Sequence, residues 1–257
     1  MRSLAAAVLL TALAVPGLAR AQQPCNVSLD AIRLSNPLPH VAHKLAAGEP
    51  VVIVAIGSSS TAGAGASSPA LSYPSRLEAE LSAQFPRQKF TVLNRGVNGE
   101  EVPDMLNRFD DSVVKEHPDL VVWQLGTNSV LRDKPIDVRG EAIRQGIEII
   151  KRVGADVVLM DPQYAPKVIV KPDLEPMLTL LAATAKSERV NLFGRFNVMK
   201  RWHDNDKMAF EDFVTADGLH MNDWGYGCIA KTIAGAIAEA ATRPVASASA
   251  VARPPAQ

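Results

Sequence analysis

Ser59, Asp217 and His220 are the residues of this 257-residue chain best suited to do chemistry. Ser59 lies in Val51-Val52-Ile53-Val54-Ala55-Ile56-Gly57-Ser58-Ser59-Ser60-Thr61, an apolar stretch that runs into a small-residue turn and leaves a hydroxyl at its mouth. Asp217-Gly218-Leu219-His220 sets a carboxylate just ahead of an imidazole. A hydroxyl nucleophile, an imidazole base and a carboxylate to fix the base's tautomer are the minimum set for serine-based acyl transfer. Each has an ordinary alternative when taken alone: a Gly/Ser loop, a helix-capping aspartate, a surface histidine.

Two more loops could hold developing negative charge. Asn94-Arg95-Gly96-Val97-Asn98-Gly99 contains Gly96, where the backbone can come close to a substrate and offer its amide. Gly126-Thr127-Asn128-Ser129 contains Asn128, whose side-chain amide is a fixed donor. With the Ser59 amide these make three oxyanion-hole donors. The alternatives are a turn after a strand and an Asn that caps the next segment. A phosphate loop is excluded, because no Gly-Lys-Ser/Thr follows Gly57, and Thr61 breaks the Gly-x-Ser-x-Gly elbow. His40 and His43 lie in the N-terminal arm, His117 precedes Pro118 in a connector, and His203 lies in a charged loop. No further ligands accompany His40 and His43, so no metal is expected.

The elements that must position these loops follow from periodicity. Val51–Ile56, Phe90–Leu93, Leu120–Leu125 and Val157–Met160 read as strands, with Val190–Phe193 as a fifth. Helical patterns cover Tyr73–Gln84, Val102–Glu116, Val138–Val153, Leu174–Ser187 and Trp224–Ala241; in the last, Ile229, Ile233 and Ile237 recur on one face. Strand–helix alternation with nearly continuous apolar strands predicts a parallel sheet covered on both faces, a three-layer α/β/α sandwich. Such sheets carry their sites at the carboxyl ends of strands, where all three loops after the first three strands fall.

These four blocks, in this order, resemble those of the SGNH (GDSL-type) serine esterase and lipase hydrolase family. The resemblance spans about Val51 to Ala241 and maps the family's Ser, Gly, Asn and His onto Ser59, Gly96, Asn128 and His220, with Asp217 as the triad acid. It implies a flavodoxin-like five-stranded α/β sheet of order 2-1-3-4-5, and ester or thioester hydrolysis through an acyl-enzyme without metal or organic cofactor. Two positions depart from the family pattern: Ser58 stands before the nucleophile, and Ser129 follows Asn128, where Asp is usual. The block order selects Ser59 over Ser58 or Ser60 as nucleophile.

Composition sets the setting. The chain is 47% hydrophobic and 21% charged, enough to bury a large single core. Zero formal net charge, no basic stripe and 5% aromatics argue against a nucleic-acid partner. Residues 1–21 have the charged head, short apolar middle and Ala19-Arg20-Ala21 end of a secretory signal peptide, too short to span a membrane comfortably. Cleavage near Ala21 implies a periplasmic or secreted protein without stable membrane insertion. The expected layout is leader 1–21, N-terminal arm 22–48, catalytic domain 49–242 and disordered tail 243–257. In an oxidising compartment Cys25 and Cys228 can pair, tying arm to last helix; two separately buried thiols are the alternative.

The function expected is serine-dependent hydrolysis of carboxylic esters, with O-acetyl or other short acyl groups on carbohydrate as substrate. Tyr164, Met221 and Trp224 are candidate pocket walls. The alternatives are a lysophospholipase or thioesterase, an acyltransferase, and a catalytically silent binding module.

Overall fold

The computed structural model describes residues 24–25, 32–133 and 139–244. The expected leader and residues 245–257 of the expected tail lie outside these. Five strands form one sheet: β1 (Val51–Gly57), β2 (Phe90–Gly96), β3 (Leu120–Gln124), β4 (Asp156–Met160) and β5 (Asn191–Phe193). All pairings are parallel and the order is β2-β1-β3-β4-β5. Val, Ile and Leu dominate β1, β3 and β4, whose residues are almost all buried, as strands covered on both faces must be.

Helices Pro39–Ala47, Tyr73–Gln84 and Asp223–Thr242 pack together on one face, and Val102–Asn107, Arg139–Arg152 and Leu174–Glu188 on the other. In the last helix Ile229, Ile233 and Ile237 are buried. None of the helices among the described residues is long and apolar enough to cross a membrane.

Several elements differ from expectation. The helix expected over Val102–Glu116 is three pieces, Val102–Asn107, Phe109–Ser112 and a 3-10 turn at Val114–Glu116. The break falls at Arg108, whose guanidinium reaches back to Glu100 (2.5 Å), the Arg95 carbonyl (2.9 Å) and Ser112 Oγ (3.1 Å). Part of the expected arm is the helix Pro39–Ala47, which holds His40 and His43. Its His40 and Val41 amides donate to Asp156 Oδ2 at 3.0 and 3.1 Å, a cap supplied from β4. His203 belongs to a helix, Arg195–Asp204, and stacks on Phe210 with ring centroids 4.5 Å apart. Arg243, first residue of the expected tail, donates to the Leu34 carbonyl (2.8 Å) and to Glu239.

Cys25 and Cys228 form a disulfide with their Cα atoms 5.4 Å apart, joining residues 203 positions apart in sequence.

Candidate active site

β1 delivers the chain to Gly57, and the next turn opens the four-residue helix Ser59–Ala62, so the Ser59 amide sits in a first turn that has no intrahelical acceptor. That amide has no hydrogen-bond partner among the described residues. The Ser59 hydroxyl lies 2.8 Å from His220 Nε2. His220 Nδ1 in turn lies 2.5 Å from Asp217 Oδ2.

The acid and base ride on one closed loop. An isolated bridge joins Val214 to Met221, and the Thr215 amide donates to the His220 carbonyl at 2.8 Å. Inside it, Asp217 Oδ1 accepts from Thr215 Oγ1 (2.7 Å), Leu219 N (2.8 Å) and His220 N (2.9 Å). Partial burial acts to raise the Asp217 pKa, but these bonds and the one from the His220 ring outweigh it and hold the carboxyl well below its ordinary range. The carboxylate is thus charged and already oriented on the imidazole.

The oxyanion donors resolve differently from the sequence reading. Gly96 does not offer a free amide: its N–H donates to Asn94 Oδ1 at 3.0 Å. A Cβ at Gly96 would fall 2.1 Å from Ala62 N, so this glycine lets the nucleophile's helix lie directly on β2. Gly99, three residues on, has φ +80° and an amide with no hydrogen-bond partner among the described residues. Its neighbour Glu100 accepts at its carbonyl from Asn128 Nδ2 (2.8 Å), which brings the Glu100–Glu101 peptide, next along the chain from Gly99, beside Asn128. The same contact occupies one hydrogen of the Asn128 amide and leaves the second.

Ser58 and Ser129, the two departures, are both paired. Gln124 Oε1, at the end of β3, accepts from Ser58 N (2.9 Å), Ser58 Oγ (3.1 Å) and Thr61 Oγ1 (3.3 Å). Ser129 Oγ donates to Glu101 Oε2 at 2.8 Å, and Arg132 pairs with Glu101 Oε1 at 2.6 Å. Of the expected pocket walls, Met221 is fully buried, while Tyr164 and Trp224 are half-buried. Among the described residues no cluster of His, Cys, Asp or Glu could hold a metal ion.

The pattern of the non-GDSL lipase-like family matches residues 24–243. The chain belongs to this family. A curated relative within reach of sequence comparison, an arylesterase of Vibrio mimicus, is 34% identical over 79 residues, covering 31% of this chain. The chain spans 40% of that relative's length. Among solved structures, a two-domain esterase active on acetylated mannans superposes with a TM-score of 0.72 at 18% identity, over 90% of this chain and 61% of that one. The acetylxylan esterase Axe2 from Geobacillus stearothermophilus gives a TM-score of 0.63 at 19% identity, over 73% of this chain and 94% of that one. At these identities the two structures establish the fold.

In this member of the lipase-like family a buried polar layer underlies the site, and sequence reading missed it. Besides Gln124 it contains Gln163, Thr127, Asp161, Tyr73 and Arg195, all buried. Arg195 Nε donates to the Asp161 carbonyl (3.0 Å), and Phe196 N donates to Asp161 Oδ1 (2.8 Å). Burial pushes the Asp161 carboxyl up to about 7, against the Phe196 amide and the Arg195 charge. Burial likewise pushes the Tyr73 phenol up to about 12. The available signals were a glutamine ending an otherwise apolar strand (Leu120–Leu125) and polar residues directly after β4.

Proposed function

We propose that this protein is an exported serine esterase that hydrolyses short-chain carboxylic esters, O-acetyl groups on carbohydrate foremost, through an acyl-enzyme. The observation that carries the reading is the relay itself: Ser59 Oγ 2.8 Å from His220 Nε2, and His220 Nδ1 2.5 Å from a charged Asp217. Asp217 holds the neutral imidazole in the tautomer with its proton on Nδ1, leaving Nε2 to accept. As Ser59 Oγ attacks the ester carbonyl, its proton passes to His220 Nε2. The tetrahedral oxyanion is met by the Ser59 amide, the free hydrogen of the Asn128 side chain and, in place of Gly96, the Gly99 amide. His220 then returns the proton to the departing alcohol, and water repeats the cycle on the acyl-Ser59 ester.

The acyl size rests on two supports. The structurally similar proteins act on acetylated mannans and acetylxylan. The other support is the polar character of the loops around Ser59. Export rests on the leader pattern of residues 1–21 and on the Cys25–Cys228 pair, since disulfides persist in oxidising compartments.

The test is hydrolysis of p-nitrophenyl acetate against the octanoyl and palmitoyl esters, alongside fluorophosphonate labelling of wild type and Ser59→Ala. The expected result is acetyl preference and labelling of wild type alone. Preference for palmitoyl replaces the deacetylase with the lipid-hydrolase alternative. Wild-type labelling no greater than that of Ser59→Ala overturns the esterase.

A further inference from the structure

One buried side chain touches both halves of the machinery. Gln163, 1% exposed, follows β4 and points into the layer beneath the site. Its Oε1 accepts from Thr127 Oγ1 at 2.8 Å and from Arg195 Nη2 at 2.9 Å. Its Nε2 donates to the Leu219 carbonyl at 3.2 Å. Thr127 is the residue before Asn128 and opens the helix Thr127–Leu131 that carries it. Leu219 lies between Asp217 and His220. Gln163 therefore spans from the oxyanion donor's helix to the acid–base loop.

Its own orientation is dictated. Thr127 and Arg195 both present hydrogens, so the amide must turn its oxygen toward them and its nitrogen toward Leu219. Arg195 is fully buried and anchored through Nε to the Asp161 carbonyl; its Nη1 has no hydrogen-bond partner among the described residues. A buried guanidinium is costly to desolvate, and losing one of its contacts is costlier still. Here one of those contacts sets the Gln163 amide. The acid–base loop, by contrast, is open to solvent on its Asp217 side, and a buried amide pinned at Leu219 is an external restraint on it.

We propose that Gln163 is a positioning residue that locks the His220 loop to the Asn128 helix, so that proton transfer and oxyanion binding occur in register. The inference rests on the serine-esterase reading. It predicts a particular kinetic signature. A p-nitrophenolate leaves without a proton, whereas an alkoxide must receive one from His220. Loosening the loop therefore harms an alkyl ester more than an aryl ester, while a variant that merely lowers the folded fraction harms both alike.

The experiment compares wild type with Gln163→Met, close in size but without hydrogen bonds, using kcat/KM for p-nitrophenyl acetate and for ethyl acetate. The expected falls are roughly tenfold for the aryl ester and on the order of a hundredfold for the alkyl ester, carried by kcat. Gln163→Glu, which keeps oxygens for Thr127 and Arg195 but loses the N–H toward Leu219, is measured in parallel and stands in if the Met variant does not fold. It is expected to show the same split. Equal falls on both esters, or none, overturn the inference while the esterase stands. A wild type inert on both esters and unlabelled by fluorophosphonate overturns the esterase reading and the inference with it.

Discussion

Ser59, His220 and Asp217 form a chain in which each atom's partner is fixed before any substrate arrives. Ser59→Ala and His220→Ala should each lower kcat by about three to six orders of magnitude, with circular dichroism and melting temperature unchanged. Steady-state kinetics on p-nitrophenyl acetate checks this, and a wild-type rate in His220→Ala would sink the assignment. Asn128→Ala should cost on the order of 100- to 1000-fold in kcat with KM little changed. Gly96, the last residue of β2, and Gly99 in the turn after it should part company. Gly96→Ala drives a methyl into Ala62 N and should destabilise the fold. At Gly99 a Cβ meets only Arg132 at 3.6 Å, so Gly99→Ala should lose about 1–2 kcal/mol from its positive φ, with a loss of kcat beyond that expected from stability. Urea denaturation and kinetics on both variants separate these outcomes. Ser59, Asp217, His220 and Asn128 could be named as candidates from sequence because chemistry restricts residue type, and the fold brings the first three within hydrogen-bonding reach of one another. Gly96 and Gly99 were not separable: with the strand expected to end at Leu93 both fell in one loop, whereas β2 runs on to Gly96 and the Asn94 side chain takes that amide.

The elements explain why that chain can be so exact. β1 and β3 are adjacent, and their ends place the Ser59 turn beside Gln124 and the Asn128 helix. Gln124 holds the turn with a neutral oxygen: three donors of the Ser58–Thr61 turn converge on it. Gln124→Leu leaves the buried Ser58 amide without an acceptor and should cost on the order of 1–3 kcal/mol in urea denaturation. A variant as stable as wild type would mean that the turn holds itself. β1, β3 and β4 were readable because they are apolar runs of five to seven residues rich in Val and Ile, too short for a helix of ordinary length. Thr127–Leu131 and Pro166–Ile169 were not, since helices this short show no period. The break at Arg108 was hidden for a different reason. It depends on Glu100 and the Arg95 carbonyl being folded against the guanidinium, a tertiary cause that a local pattern cannot carry.

At the scale of the molecule, the interior sets a pH dependence. Asp161 ionises near 3.8 when exposed and near 7 in the fold. Between these values the folded state holds the extra proton, so this contribution to stability is full below about pH 4 and is lost as pH rises through 7. Wild type should lose on the order of 2–4 kcal/mol more than Asp161→Asn between pH 5 and pH 8. Comparing the pH slopes of the two proteins by urea denaturation removes any constant offset from the substitution, and equal slopes would refute it. The disulfide acts on the same scale: Cys228→Ser should lower stability by about 2–5 kcal/mol, and a reducing agent should have no further effect on that variant.

The disulfide also imposes an order of events. Cys25 is made early in synthesis and Cys228 only after 203 more residues, so the bond cannot form until most of the chain has been made. All five strands and the His220 loop lie between the two cysteines and can be assembled before the knot is tied. Closure can then act as a seal on an assembled fold, and any thiol that captures Cys25 in the interval competes with Cys228 for the same sulfur.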